Sequence, residues 1–251
     1  MRSKRKMTHV ALGVALLAGL LTAGCGRGGD NSLDARIKGL FAGGSAKKDV
    51  QKFADPDDPD RRREGIEGLA ERKFGDEEPY LKGYAMALAS DPDPSVRSAA
   101  ARALGEAGNP EYLPALVAAL EDDSQAVRWD AAVALDSVVG DEAAEPLQRS
   151  AMRDESVDVR ASCARALRHY RTPRVLHTLS RCLDDPSFTV RYQAHQSLTE
   201  MTGRDLGYDS YAWSAPEQDE LLAEPADEPR KPWWDWMGVT DRDEDAEDGD
   251  G

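Results

Sequence analysis

Cysteine, histidine and aromatic side chains are scarce in this chain: three Cys, four His and 6% Phe, Trp and Tyr over 251 residues. With so few cysteines there is no disulfide framework, and Cys163 and Cys182 stand at no zinc-like spacing. No His is followed by Glu, and no phosphate-binding loop, Gly-x-Ser-x-Gly elbow or zincin helix motif is present. Positive charge is in deficit, 32 Lys and Arg against 47 Asp and Glu, for a net −15. Phosphate backbones are held by Lys and Arg, so nucleic acid is excluded as a partner. The longest apolar run, VALGVALLAGLL at residues 10–21, falls short of the roughly 20 residues that cross a bilayer. No stretch alternates as a half-buried strand would.

That apolar run has a context. Arg2, Lys4, Arg5 and Lys6 precede it without any acid, and Leu21-Thr22-Ala23-Gly24-Cys25 follows. Basic, apolar and small segments in that order form an export signal. The small residues before Cys25 resemble a bacterial lipobox, with Thr22 where that family more often has Leu. The resemblance implies cleavage before Cys25 and acylation of its sulfur and new amine. Two or three acyl chains tether a protein stably where one does not. An ordinary secretory signal with a chance cysteine is the competing reading. The expected place is the bacterial cell envelope, on the periplasmic face. Gly26 rather than Asp after the cysteine points to the outer membrane. Without the four bases of the leader the net charge becomes −19.

The centre of the chain is periodic. Val-Arg recurs with its Arg at 97, 128, 160 and 191, spaced 31, 32 and 31 residues apart. A fifth copy lies around Arg62, with Arg61 in place of Val. Four residues before each Arg stand Asp58, Asp93, Ser124, Ser156 and Ser187, all N-cap types. Small residues recur three and six places after it, and Leu69, Leu104, Leu135, Leu167 and Leu198 seven places after. Those offsets share one helical face. A second helix fits each gap: Lys47–Ala54, Glu78–Ala89, Pro110–Leu120, Glu142–Met152 and Pro173–Leu183. One helix pair cannot bury its stripe alone, whereas a stack of pairs can.

The segments around Arg97, Arg128, Arg160 and Arg191, of the form V-R-x-x-A-A-x-A-L, resemble HEAT repeats of the short phycobilisome-lyase type. The resemblance covers about residues 45–202 and implies an all-α solenoid of about five helix pairs. It also implies that the recurring Asp and the arginines Arg97, Arg128, Arg160 and Arg191 form a structural ladder between units; recurrence in every copy suits structure, since a catalytic group is needed once. The expected organisation is a signal peptide at 1–24, a lipidated Cys and tether at 25–44, and repeats at 45–202. A capping segment at 203–216 and an acidic, largely disordered tail at 217–251 follow. That tail holds 14 acids against three bases, net −11.

Chemistry is thin throughout. The His-Glu pairs by which HEAT-like deoxyhypusine hydroxylases hold iron are absent. His195 and both remaining cysteines sit at core columns, with a Cys163–Cys182 disulfide as the alternative. The terminal DRDEDAEDGDG lacks the Gly and Glu positions of an EF-hand loop. No cofactor and no metal are expected. Recognition is better served. Offsets +1, +5 and +8 from the repeat Arg face away from the stripe and carry Arg102, Trp129, Arg165, Arg168 and Tyr192. Trp, Tyr and Arg are the types enriched in interface hot spots, and this ridge suits an acidic, apolar protein partner. Trp233, Trp234 and Trp236 form a second cluster, suited to docking on the solenoid, to a partner or to lipid. The expected function is a non-enzymatic, lipid-anchored scaffold. The alternative is a lyase-like or cofactor-handling factor acting on a partner protein.

Overall fold

The computed structural model describes residues 44–214 and 221–222, and every regular element among them is helical. Cys25, Trp233, Trp234 and Trp236 lie outside the described residues, as do the leader and most of the acidic tail. Eleven α-helices are present among the described residues. We number them α1 (Gly44–Phe53), α2 (Pro59–Ala70), α3 (Tyr80–Ser90), α4 (Pro94–Ala107), α5 (Leu113–Ala119) and α6 (Gln125–Ala134). They continue as α7 (Ala144–Arg153), α8 (Val157–Ala166), α9 (Pro173–Cys182), α10 (Phe188–Thr202) and the short α11 (Ser210–Trp213). Ten of these make five antiparallel pairs, and none is long and apolar enough to cross a membrane.

The sequence columns become the core. The four Val before Arg97, Arg128, Arg160 and Arg191 are fully buried, and so are all five Leu of the +7 column. Small residues between them let successive second helices approach closely. At Gly105 on α4, a Cβ would collide with the Cβ of Ala134 on α6. Second helices of neighbouring units therefore pack far more extensively than first helices do. Unequal spacing bends the stack, with α2, α4, α6, α8 and α10 on the inner side and the first helices splayed on the outer side.

Helix ends follow local chemistry, with two departures. Asp58, Asp93 and Ser156 accept backbone N–H groups at the starts of α2, α4 and α8. Ser124 and Ser187 occupy the same position in extended backbone but make no side-chain cap. At both starts, as at those of α4 and α8, a carboxylate two residues earlier holds the turn: Asp122 and Asp185 accept the N–H of Ser124 and Ser187 at 2.8 Å. The first helices of units three and four begin later than the pattern predicts. Three-residue 3-10 turns, Pro110–Tyr112 and Asp141–Ala143, precede them and place Pro114 and Pro146 in the first helical turn, where a missing N–H costs nothing. Gly108 and Gly203 end the two longest helices in the left-handed region, at φ 65° and 71°.

Candidate functional site

The repeat arginines form a continuous ladder. Arg62 donates to Asp91 through Nε and Nη2 at 2.8 and 2.9 Å, and Arg97 to Asp122 at 2.8 and 2.8 Å. Arg128 donates to Asp154 at 2.8 and 3.1 Å, and Arg160 to Asp185 at 2.8 and 3.1 Å. Each Nη1 meanwhile donates to a backbone carbonyl in its own unit: Asp55, Asp91, Asp122 and Asp154 for these four, and Asp185 for Arg191. Every rung thus clamps the turn of one unit to the turn of the next. Planar, bidentate pairing of this kind is what guanidinium does and ammonium cannot. Burial pushes the Asp122 and Asp185 carboxyls up, but the guanidinium and the capped Ser N–H outweigh it and hold both below the usual range. Arg191 is the exception. Among the described residues no unit follows it and no carboxylate meets its Nε edge, and its guanidinium rests over the Phe188 ring at 5.6 Å.

On the inner face the expected ridge is present in part. Trp129 and Tyr192 are each 43% exposed. Their column reads Arg63, Ser98, Trp129, Ala161 and Tyr192, so the two rings stand on either side of a small residue. At about 8–10 Å per helix spacing, they lie about 20 Å apart. The three arginines correct the expectation of a basic ridge. Arg102 pairs with Asp130 at 3.1 Å and Glu67 at 3.0 Å, and Arg165 with Asp136 at 2.9 Å. Arg168 pairs with the same Asp136 at 3.2 Å and with Glu200 at 3.4 Å. Acids on the neighbouring second helices, or in the turn just after one of them, pair with every one of them. Ser98 adds a short hydrogen bond to Asp130, and His169 approaches Asp136 at 3.1 Å. What the inner face offers a partner is two rings set in a charge-balanced surface.

The sequence pattern misses an aromatic cluster at the C-terminal end. Tyr192 lies 6.2 Å from Phe188, which lies 6.3 Å from Tyr208, and Tyr208 stacks on His195 at 4.5 Å. His195 occupies the column filled by Ile66 in the first unit and by Ala101, Ala132 and Ala164 in the next three, where each Ala leaves room for the next second helix. No such helix follows among the described residues. The ring fills that room instead, its Nε2 2.8 Å from Asp205 Oδ1. The visible signal was a bulky polar residue after three successive alanines in that column.

Neither cysteine is set up for chemistry. Both thiols are free and buried, and burial pushes Cys163 up strongly and Cys182 up to about 12. Among the described residues no group of His, Cys, Asp and Glu is arranged to hold a metal ion.

Relatives agree with this geometry. The chain is similar in structure to the complex of CpcE and CpcF of phycocyanin lyase from Nostoc sp. PCC7120, at 20% identity and a TM-score of 0.52, over 73% of this chain and 70% of that one. A designed armadillo repeat protein in complex with the peptide (KR)4 matches at 18% identity and 0.52, over 74% and 94%. A second designed armadillo repeat protein gives 18% and 0.51, over 73% and 94%. At such identities the likeness is one of fold. No curated protein matches the chain. The family described as HEAT repeats matches residues 48–136, 81–152 and 118–199, the same stretch that carries the five ladder arginines. Paired helices, a buried Val and Leu stripe, an arginine ladder and this match converge: the chain belongs to the family of HEAT repeats.

Proposed function

We propose that the protein is a non-enzymatic scaffold, held to the bacterial cell envelope by lipid on Cys25, whose solenoid binds another protein on its inner face. The observation that carries the reading is the pair Trp129 and Tyr192. Both rings stay exposed on the curved side although Arg102, Arg165 and Arg168 beside them are each ion-paired within the chain. Large exposed rings around a small residue bind apolar side chains with little loss of rotamer freedom. Support also comes from the neighbours: CpcE is found with CpcF, and an armadillo repeat protein with a peptide. The partner presents apolar side chains about 20 Å apart, at two helix spacings of about 8–10 Å each. Trp129→Ala with Tyr192→Ala should reduce capture of that partner from envelope extracts by tenfold or more, about 1.4 kcal/mol or above, with unchanged helical circular dichroism. Loss of helicity instead would make the rings structural and refute the site.

The anchoring rests on the order of residues in the leader. Cys25→Ser should leave an uncleaved precursor that takes up no radiolabelled fatty acid; labelling that survives the change excludes Cys25 as the acceptor. The lyase-like alternative has the CpcE and CpcF likeness in its favour, and its mark is a chromophore or metal that copurifies with the native protein.

A further inference from the structure

Splaying of the first helices opens a groove on the outer side between α7 and α9, with a volume of about 460 Å³. Arg149 and Arg153 line it from α7, and Arg174 and Arg181 from α9. Arg149 is paired with Glu121 at 2.9 Å. Arg153, Arg174 and Arg181 are exposed and have no carboxylate within ion-pair distance among the described residues. This sets the groove apart from the inner face, where Arg102, Arg165 and Arg168 are all neutralised. Against one acid in the lining, Glu145, three guanidiniums without an ion pair among the described residues make this groove locally cationic in a chain of net charge −15. Met152 lines this groove with an apolar, polarisable wall and also borders an adjoining depression of about 260 Å³, which Asp184 and Asp185 make acidic and less suited to an acidic ligand than the groove itself.

The chain leads back to the same place. The carbonyl of Leu222 accepts from Arg171 Nη2 at 3.0 Å, and Leu221 is buried. Arg171 stands two residues before α9, so Leu222, the last described residue, lies at the start of the helix that carries Arg174 and Arg181. That segment, residues 223–251, holds eleven acids against three bases and contains Trp233, Trp234 and Trp236. The ten residues of α9 span about 15 Å. The eleven steps from Leu222 to Trp233 reach about 36–40 Å when extended. The segment is long enough to run along the groove.

We propose that the outer groove between α7 and α9 is an acidic-peptide site whose resident ligand is the chain's own segment 223–251. Its carboxylates pair with Arg153, Arg174 and Arg181, and a tryptophan packs on Met152. Single exposed pairs are weak. A tethered segment, however, acts at an effective concentration of about 1 mM, so an intrinsic Kd of about 0.1 mM holds it seated about ten to one. The site does not depend on the inner-face reading and stands or falls separately.

The test uses the full chain with Trp129→Phe, which removes the one exposed tryptophan among the described residues. The tail tryptophans should then be shielded from acrylamide compared with a synthetic peptide of residues 223–251. Reversing the groove by Arg153→Glu, Arg174→Glu and Arg181→Glu should red-shift the emission and raise quenching to the level of that peptide, with helicity unchanged. Salt raised to about 1 M, where the Debye length is about 3 Å, should do the same without any substitution. Quenching equal to the peptide in the parent chain overturns the proposal. So does shielding that neither reversal nor salt disturbs, which places the tail elsewhere, for instance on the Phe188 and Tyr208 rings. Tight binding of an added fluorescein-labelled Glu- and Trp-rich peptide to the parent chain also overturns it, because the groove would then be vacant for a separate partner.

Discussion

Asp91→Ala should lower the unfolding free energy by about 3–5 kcal/mol, because it strands a buried guanidinium. The pair it breaks is the most enclosed rung of the ladder, with the Arg62 and Asp91 side chains only 7% and 2% exposed. Asp91 also accepts the N–H of Asp93 at 2.9 Å, so the same change unties the start of α4. Arg191→Ala is the control. Its guanidinium bonds only carbonyls of its own turn and caps the exposed Phe188 ring, and at a surface position the loss should stay below about 1 kcal/mol. Urea titrations followed by circular dichroism measure both. The transition of Asp91→Ala should also broaden, since a solenoid is held by neighbour-to-neighbour terms and a cut rung lets α1 and α2 melt apart from the rest. Equal losses for the two variants would show that the rungs contribute little beyond their carbonyl bonds.

The ladder illustrates what sequence periodicity reveals and where it stops. The arginines and the buried Val and Leu columns follow from spacing alone, because a repeated helix must present the same face to each neighbour. The carboxylates that complete the rungs have the same spacing, six residues before each Arg at Asp91, Asp122, Asp154 and Asp185. They are overshadowed in the sequence by the cap residues two places later, since a local N-cap is the commoner reason for an acid or Ser at that point. Pairing across units depends on the rotation from one helix to the next, which a one-dimensional pattern does not contain. The same limit applies to the inner face. Offsets put Arg102, Arg165 and Arg168 away from the buried stripe, where Arg102 is exposed and the other two are half-buried, but Glu67, Asp130 and Asp136 reach them only once the second helices are packed side by side. The groove between α7 and α9 is still less visible, because it arises from the wider spacing of the outer helices rather than from any motif.

Trp213→Ala should cost about 3–5 kcal/mol, the range for deleting a large buried ring. The indole is fully buried, and its Nε1 donates to the Gly207 carbonyl at 2.8 Å. It sits on α11, a single turn capped by Asp209, which packs against α9 where the first helix of a sixth unit would lie. Ser214 reinforces the contact, its hydroxyl 2.9 Å from that of Ser180 on α9. A solenoid end without such a cover leaves the stripe of its last unit in water. The indole, Tyr208 on His195 and Leu221 together supply that cover with about a dozen residues instead of a whole helix pair. Trp213→Phe should cost clearly less than Trp213→Ala, because it keeps most of the apolar area and loses the Nε1 bond and part of the volume. The distribution of the loss is the sharper measurement. Native-state hydrogen exchange of Trp213→Ala should show α9 and α10 losing protection while α2 to α6 keep most of theirs, since each unit is stabilised by its immediate neighbours. Uniform loss along the whole chain would mean that the five pairs unfold as one body and that α11 is part of a single core rather than a local cap.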